Sequence, residues 1–345
     1  MAVRVIRTAL AGVGAVNRNV LTILSQKAAQ LRQRYHLEFR IVLVIDSSGV
    51  AYEPQGFAIT ALHQWKAAKG RIADLPQAVT LAALPALLTP AHCDLLLEGT
   101  PVNLTTGEPG LTFTKQALGA GVAVVLANKG PLVLAFPTLT HLAQQTGAGL
   151  AYSATVCGAL PVINVGQRDL IAADISLLRG IFNSTSNFIL GEMEQGHAFA
   201  AALTEAQRRG IAETDPSLDI DGWDTANKLV IIANSVLGVA TTLAEVAVQG
   251  IRGVTTAALQ AELRQGRTIK LLATARQTSA GYQFQVAPTS LARSEFLGSC
   301  ASWEMGIEIQ SDLYGTLSQK IWEETPMPTA AAMLRDAVNL FRGAI

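Results

Sequence analysis

The sequence has few charged residues and few cysteines. Charged side chains make up only 15% of its 345 residues, and 26 basic side chains balance 26 acidic ones. A protein that binds nucleic acid or an anionic membrane surface usually has a basic excess, so this balance argues against both partners. The three cysteines, Cys93, Cys157 and Cys300, lie far apart and form no CxxC pair. Such a set cannot make a disulfide framework and predicts a reducing compartment.

Signals for export and for membrane insertion are also lacking. Residues 1–10 contain two arginines and no long apolar run, so no signal peptide is expected. Residues 118–136 are the most membrane-like stretch, but Asn128, Lys129, Gly130 and Pro131 interrupt it. A charge at the centre of a spanning helix is costly, so a buried strand, a turn and a helix are predicted instead. We therefore expect a cytoplasmic protein with no membrane partner.

The first part of the chain alternates strand and helix patterns. Residues 3–11 and 39–45 are continuous apolar runs, and a helical pattern lies between them. Unbroken apolarity is typical of strands that are buried on both faces. Further strands are predicted at 94–98 and 122–127, and helices at 111–120 and 131–146. The pattern predicts an α/β fold, with a Rossmann-type doubly wound parallel sheet over residues 1–150.

The pattern changes after residue 150 and predicts a second domain of α+β type, residues 151–325. The chain is expected to end in a helix within residues 326–345 that packs back on the first domain. The elements predicted beyond residue 148 are strands at 149–154 and 175–182 and helices at 161–170, 183–193, 203–210, 225–237 and 329–341.

A glycine turn follows the first predicted strand. Gly12 permits a tight turn, and Gly14 lets a pyrophosphate approach the backbone at a helix N-terminus. Asn17 stands where a dinucleotide fingerprint has its third glycine. A structural turn is the alternative, but the turn lies between a strand and a helix, as the binding mechanism requires. Dinucleotide binding is therefore predicted at Gly12, Val13, Gly14, Ala15 and Val16.

The second strand ends at Asp46, which can accept hydrogen bonds from an adenosine ribose. A carboxylate there favours NAD, because it repels a 2′-phosphate. Asp46 lies further from the glycine turn than the usual spacing of about 20 residues. The neighbouring Ser47 and Ser48 can also admit NADP. The predicted cofactor is therefore NAD or NADP.

An acidic stretch and a lysine form the second candidate site. Asp224 and Lys228 are four residues apart on a predicted helix and share one face. A calcium loop is excluded because Lys228 stands where an EF-hand needs a bidentate glutamate. If the stretch is a solvated loop, the pair of Asp224 and Lys228 contributes little to stability. In a cleft, however, a lysine beside carboxylates can transfer a proton. A cationic amino group of a zwitterionic substrate would then be held by Glu213, Asp219 and Asp224.

Two further strand ends carry candidate ligand contacts. Thr100 and Pro101 follow one apolar strand, and Lys129 follows the next. Doubly wound folds bind ligands at the carboxyl ends of their strands, so all three are candidates for contact with a substrate or a nicotinamide.

With these segments in place, the chain resembles the homoserine dehydrogenase family over nearly its whole length. The last two of the matching motifs are specific to that family. In chain order the motifs are GVGAV (12–16), EGTPVN (98–103), GEPG (107–110), ANKGPL (127–132), ATVCGALPV (154–162), GIFNSTSNFIL (180–190) and AETDPSLDIDGWDTANKL (212–229).

The resemblance implies NAD(P)-dependent interconversion of L-homoserine and L-aspartate 4-semialdehyde, in threonine, methionine and isoleucine biosynthesis. Lys228 matches the catalytic proton-transfer lysine, Asp224 the aspartate one turn before it, and Lys129 a second active-site lysine. Glu213 and Asp219 match substrate-binding carboxylates. The family's cofactor contacts fall on Gly12, Gly14, Val16, Thr100 and Lys129.

The resemblance further implies a homodimer and a monovalent cation, Na⁺ or K⁺, held by the backbone carbonyls of Val156, Gly158 and Leu160. The chain departs from the family at Ser153, where many members have a glutamate near the cation. It resembles a short form without a C-terminal regulatory domain, so feedback inhibition through such a domain is not expected.

Other departures leave two alternative functions open. Asn17 and Ser184 replace glycines, and residues 323–325 replace a Gly-Ala-Gly contact to the cofactor. These changes are compatible with a nicotinamide-binding regulatory protein that has lost catalysis. The other alternative, an aspartate-semialdehyde dehydrogenase, needs a nucleophilic cysteine, and Cys157 has no sequence neighbour that would activate it.

Overall fold

The computed structural model describes residues 2–342. The chain forms two compact units, one containing the residues up to Ala159 together with those from Thr325 onward, and the other Leu160–Glu324. The domain boundary predicted at residue 150 lies nine residues before the end of the first segment, at the start of the last strand along the chain in this sheet.

The first unit is built around a seven-stranded sheet. Its strands are β1 (Arg4–Ala11), β2 (Leu37–Asp46), β3 (Gly49–Tyr52), β4 (Ala78–Val79), β5 (Leu95–Glu98), β6 (Ala123–Leu126) and β7 (Leu150–Ala151). Its helices before residue 160 are α1 (Ala15–Tyr35), α2 (Ile59–Ala67), α3 (Leu84–Leu87), α4 (Gly110–Gly119) and α5 (Gly130–Thr146).

The strand order is β4-β3-β2-β1-β5-β6-β7, and the five strands from β2 to β7 in this order are parallel. The apolar runs predict this core because parallel strands covered on both faces exclude polar side chains. The strand order reverses between β1 and β5. From β1 the chain continues to β2 on one side of this point, and from β5 it continues to β6 on the other side. Such a switch point opens a crevice at the carboxyl ends of the strands, where ligands bind.

Two local features of this sheet differ from the prediction. β3 and β4 add an antiparallel edge, because the residues after Asp46 form a hairpin turn back to Gly49. Residues 149–154 were predicted as one strand, and this is wrong: β7 has two residues and a 3₁₀ turn follows at Ser153–Thr155. The Ser153 amide donates to Asp336 Oδ2 at 2.9 Å, so it leaves the strand ladder.

The second unit has a six-stranded sheet and six helices. In chain order they are α6 (Val162–Asn164), β8 (Ile175–Ile181), α7 (Ser184–Glu194), α8 (Phe199–Arg208), α9 (Ser217–Ile220), α10 (Trp223–Ser235), β9 (Val246–Val248), α11 (Thr256–Arg264), β10 (Arg267–Thr278), β11 (Gly281–Ala292), β12 (Glu304–Ser311) and β13 (Gly315–Trp322).

This second sheet has the order β13-β12-β8-β10-β11-β9, and its pairs are antiparallel except for β9 with β11. Helix α10 packs on β10 and β11, and α7 and α9 contact each other beside it. The helix predicted at 161–170 is instead the short α6 followed by a π-helical turn at Val165–Asp169.

The last helix, α12 (Met327–Phe341), belongs to the first unit. It packs on α1, and its Met333 and Ala337 are completely buried in the apolar core of that unit. Among residues 2–342, no helix combines the length and the apolar character that a membrane span requires.

Candidate active site

The glycine turn of the first unit leaves the amino end of α1 open. Gly12 has φ +73°, and a Cβ atom there would lie 2.6 Å from the Gly99 carbonyl oxygen, so only glycine fits. A Cβ atom on Gly14 would have no other atom within 4 Å. The first turn of α1 carries no acidic side chain, so its backbone amides and helix dipole favour an anion. The turn fits a dinucleotide pyrophosphate.

Asn17, which stands at the position of the third glycine, fixes the glycine turn by hydrogen bonds. Its side chain is completely buried, and Nδ2 donates to the carbonyl oxygens of Gly12 at 2.6 Å and Ala11 at 3.1 Å. Helix α1 is thereby tied to the turn by hydrogen bonds, where a glycine would allow closer packing. The departure from the fingerprint therefore keeps the turn fixed.

Both carboxylate oxygens of Asp46 have partners within the protein. Oδ1 accepts from the Ser48 amide at 2.7 Å, and Oδ2 accepts from Lys66 Nζ at 2.6 Å. Burial would raise the pKa of Asp46, but the hydrogen bonds from Lys66 and Ser48 outweigh it and lower that pKa. Lys66, which the sequence analysis did not single out, offsets the repulsion that Asp46 would exert on a 2′-phosphate.

The other predicted contacts of the first unit lie at the ends of neighbouring parallel strands. Thr100 and Pro101 follow β5, and Lys129 is the N-cap residue of α5, just after β6. Asn128 Nδ2 donates to Thr100 Oγ1 at 3.2 Å, which joins the two strand ends. The sheet therefore brings these three candidate residues to one edge.

In the second unit, Lys228 and Asp224 form a partly buried ion pair on α10. Lys228 Nζ lies 2.7 Å from Asp224 Oδ2, and the two side chains are 14% and 9% exposed. The same Nζ donates to the carbonyl oxygen of Phe182 at 2.6 Å, at the end of β8. The predicted i,i+4 pair is therefore held against a second element and is not a solvated surface pair.

Asn183 organises the carboxylates around this lysine, although sequence reasoning did not name it as a site residue. Its Nδ2 donates to Asp219 Oδ1 at 2.7 Å and to Asp224 Oδ2 at 2.8 Å. Its Oδ1 caps α7 by accepting from the Ser186 amide at 2.7 Å. An Asn at the boundary between a strand and a helix predicts a cap, but only the fold reveals the two carboxylates.

The acidic stretch divides into residues with different partners. Asp215 accepts from Ser217 at the start of α9, which lowers the pKa of Asp215, and Asp221 pairs with Arg252. Glu213 is exposed, and its carboxylate makes no hydrogen bond within the part of the chain that the structure describes. Of the three predicted substrate carboxylates, the structure therefore joins Asp219 and Asp224 but not Glu213.

The residues predicted to hold a cation lie on the turn after β7. Cys157 and Gly158 have left-handed φ values of 53° and 59°, which makes the turn tight. The Leu160 carbonyl accepts from the Val162 amide at 2.8 Å. Ser153, which stands where the family resemblance places a glutamate in many members, donates to Asp336 of α12 through its hydroxyl.

The cysteines do not provide the nucleophile that an aspartate-semialdehyde dehydrogenase needs. Burial raises the pKa of Cys93 to about 12 and that of Cys300 to about 11, so both thiols stay protonated at neutral pH. Cys157 is only 1% exposed. The alternative based on a cysteine nucleophile therefore loses its chemical basis.

Comparison with known proteins gives one result over almost the whole chain. Residues 12–153 match the family model for the NAD binding domain of homoserine dehydrogenase, and residues 161–338 match the homoserine dehydrogenase model. The homoserine dehydrogenase of Methanocaldococcus jannaschii is 34% identical over 96% of this chain and 97% of its own length.

Two further relatives support the same assignment. The NAD(+)-dependent homoserine dehydrogenase of Pseudomonas canavaninivorans is 31% identical over 98% of this chain and 97% of its own length. The crystal structure of a homoserine dehydrogenase from Thiobacillus denitrificans has a TM-score of 0.85 and 29% identity, covering 99% of this chain and 74% of that one. With both family models and the full-length relatives in agreement, this chain belongs to the homoserine dehydrogenase family.

Proposed function

We propose that this chain catalyses reversible NAD(P)-dependent hydride transfer between L-homoserine and L-aspartate 4-semialdehyde. The observation that carries the proposal is the clamp on Lys228, whose Nζ lies 2.7 Å from Asp224 Oδ2 and donates to the Phe182 carbonyl oxygen at 2.6 Å. An amine held in this way is oriented for proton transfer to a substrate oxygen. The reaction belongs to the biosynthesis of threonine, methionine and isoleucine.

Lys228 and Lys129 act on the substrate oxygen. In the reductive direction the Lys228 ammonium gives a proton to the aldehyde oxygen and becomes a neutral amine. In the oxidative direction the neutral amine takes the hydroxyl proton of homoserine and becomes the ammonium that pairs with Asp224. Lys129 polarises the same oxygen. The bound nicotinamide supplies the chemistry of accepting or donating the hydride at the alcohol carbon. Orientation of the substrate by its contacts supplies several kcal/mol of the rate gain.

Glu213, Asp219 and Asp224 hold the ammonium group of homoserine. For Asp219 and Asp224 the support is their shared hydrogen-bond donor, Asn183, which keeps the two anions together. Only the family resemblance supports the role proposed for Glu213.

The cofactor is NAD or NADP. The Asp46–Lys66 pair offers a carboxylate for a ribose hydroxyl and an ammonium for a 2′-phosphate, and the pair is part of the proposal for either cofactor. One full-length relative is an NAD(+)-dependent homoserine dehydrogenase, which supports NAD. The proposed contacts are Gly12, Val13, Gly14, Ala15, Val16, Asp46, Thr100, Pro101 and Lys129.

A monovalent cation on the carbonyls of Val156, Gly158 and Leu160, a homodimer and a cytoplasmic location complete the proposal. Carbonyl oxygens are the ligands that hard cations prefer. The dimer is supported by the large apolar side chains exposed on and around the β12–β13 hairpin, where Leu313 is 63% and Trp322 52% exposed. The location is supported by the three free cysteines.

Gly14 offers a test of the cofactor site that does not depend on turnover. In Gly14→Ala the new methyl group meets no protein atom within 4 Å, and the φ of −79° suits alanine, so the melting temperature should be retained. The methyl group would occupy the space of the pyrophosphate. The cofactor Kd is expected to rise about tenfold or more, which is a loss of about 1.4 kcal/mol or more.

Gly119→Ala is the matched control, because its methyl group also enters open space, at the end of α4. Fluorescence titration with reduced cofactor measures both variants. Unchanged affinity in Gly14→Ala would remove this turn from the cofactor site.

The function itself is tested by incubating the purified protein with homoserine and with NAD or NADP in separate cuvettes. We expect homoserine-dependent reduction of at least one cofactor, and the ratio of the two rates gives the preference. Cofactor binding without reduction of either one would favour the catalytically silent alternative.

A further inference from the structure

Glu98 is a buried acid that has no role in the function proposed above. It is the last residue of β5, beside the switch point of the sheet, and its side chain is completely buried. A carboxyl group is seldom buried in this way unless hydrogen bonds hold it. Its position at the carboxyl end of a central parallel strand is where ligands of this fold bind.

A chain of hydrogen bonds runs from Glu98 to the turn that carries Lys129. Glu98 Oε1 accepts from the Thr100 amide at 2.9 Å and also from the Thr100 hydroxyl. Thr100 Oγ1 in turn accepts from Asn128 Nδ2 at 3.2 Å. Asn128 Oδ1 accepts from the Gly130 amide at 2.9 Å, which fixes the peptide between Lys129 and Gly130.

The Gly130 amide fixes the direction of these bonds. Because a backbone N–H only donates, Asn128 presents Oδ1 to Gly130 and Nδ2 to Thr100 Oγ1, and the single hydroxyl proton of Thr100 then points toward Glu98 Oε1. An ionised carboxylate accepts this proton more strongly than a neutral acid does. The hydrogen bonds therefore hold the Lys129 turn most firmly when Glu98 is ionised.

The neighbouring backbone is shaped to leave room for this group. A Cβ atom on Gly110, the first residue of α4, would lie 2.9 Å from Glu98 Oε1 and 2.7 Å from Asn128 Nδ2. The amino end of α4 thus approaches the carboxyl closely, and only the absence of a side chain on Gly110 leaves room for it.

The charge of Glu98 changes in the neutral range. Burial raises the pKa of Glu98 to about 7, against the hydrogen bonds from Thr100 and Asn128 that lower it. The carboxyl therefore ionises as the pH rises through the neutral range.

The charged side chains on the elements packed around Glu98 are few. Arg7 of β1 is paired with Asp94, which precedes β5, and Lys129 starts α5. Lys115 on α4 and Glu108 before it are exposed. No charged side chain contributes to the raised pKa of Glu98.

We propose that Glu98 is a positioning residue, which through Thr100 and Asn128 holds the Lys129 turn and the Thr100 cofactor contact in their working arrangement when it is ionised. The inference rests on the proposed function, since it assigns Glu98 to the support of Lys129 and Thr100. Glu98 itself makes no bond to the substrate and transfers no proton.

The test compares Glu98→Gln with the natural chain between pH 6 and pH 9, both in homoserine turnover and in the Kd of NADH and NADPH. In the natural chain, kcat should rise and Kd should fall through an inflection near the pKa of about 7. In Glu98→Gln the inflection should disappear, and kcat at high pH should be lower by about tenfold, the effect of losing a charge-assisted hydrogen bond. Glu108→Gln, an exposed change in the same segment, should match the natural chain.

The two readouts separate the inference from the proposed function. If the natural chain does not oxidise homoserine, the proposed function fails, and the pH dependence of cofactor binding still tests Glu98. Identical pH profiles of Kd and turnover in Glu98→Gln and the natural chain would overturn the inference. If Glu98→Gln does not fold, Thr100→Val is the second variant, because it removes the hydroxyl that links Glu98 to Asn128. If Thr100→Val kept full turnover and the inflection near neutral pH, the inference would equally be overturned.

Discussion

Replacement of Lys228 by alanine is expected to lower kcat for homoserine oxidation by about 10²–10⁴-fold, the usual contribution of a positioned general acid–base group. The Nζ atom lies 2.7 Å from Asp224 Oδ2 and donates to the Phe182 carbonyl oxygen, and alanine leaves no proton-transfer group at this position. The cofactor Kd should stay near that of the natural chain, because Lys228 is not among the proposed cofactor contacts. Steady-state kinetics and cofactor titration measure the two quantities.

Lys320→Ala is the matched control for this prediction. Lys320 is also a lysine of the second unit paired with a carboxylate, but it is 37% exposed on β13. Its loss should leave kcat near that of the natural chain, since exposed pairs contribute little. If Lys228→Ala kept full turnover, Lys228 would not be the proton-transfer group.

Replacement of Asn183 by serine should reduce kcat/KM for homoserine by roughly 10–100-fold, because hydrogen bonds to charged groups are worth about 1.5–3 kcal/mol. Asn183 Nδ2 is the donor that Asp219 and Asp224 share, and serine cannot reach both. Serine still caps α7 about as well as asparagine. The melting temperature should therefore change little while substrate use falls.

Thr255→Ser is the control for the cap itself. Thr255 caps α11 by accepting from the Ala258 amide and has no contact with the acidic cluster in the structure as described. It should change neither kinetic constant. A loss of melting temperature in Asn183→Ser with unchanged kcat/KM would reduce Asn183 to a helix cap.

Local sequence patterns predicted the parts of the site that depend on neighbours in the chain. The i,i+4 spacing of Asp224 and Lys228 placed them on one helix face, and the structure joins them at 2.7 Å. The strand, glycine turn and helix around Gly12 follow the same logic. Apolar runs likewise predicted the parallel core from β2 to β6.

Contacts between distant segments were beyond the sequence. Asn183 meets Asp224 across 41 positions, and Asp46 meets Lys66 across 20, so no local period relates them. The strand predicted at 149–154 failed for a similar reason, because its partner Asp336 lies 183 positions away from Ser153. Such pairs exist only after the sheets and helices have packed.

The central claim is hydride transfer from homoserine to a bound nicotinamide. Its most direct test uses L-homoserine in which both hydrogens of the alcohol carbon are replaced by deuterium, and follows the label by mass spectrometry. We predict that the reduced cofactor contains the deuterium and that aspartate 4-semialdehyde forms in equal amount. Reduced cofactor without deuterium, or labelled homoserine recovered intact beside bound cofactor, would contradict the account.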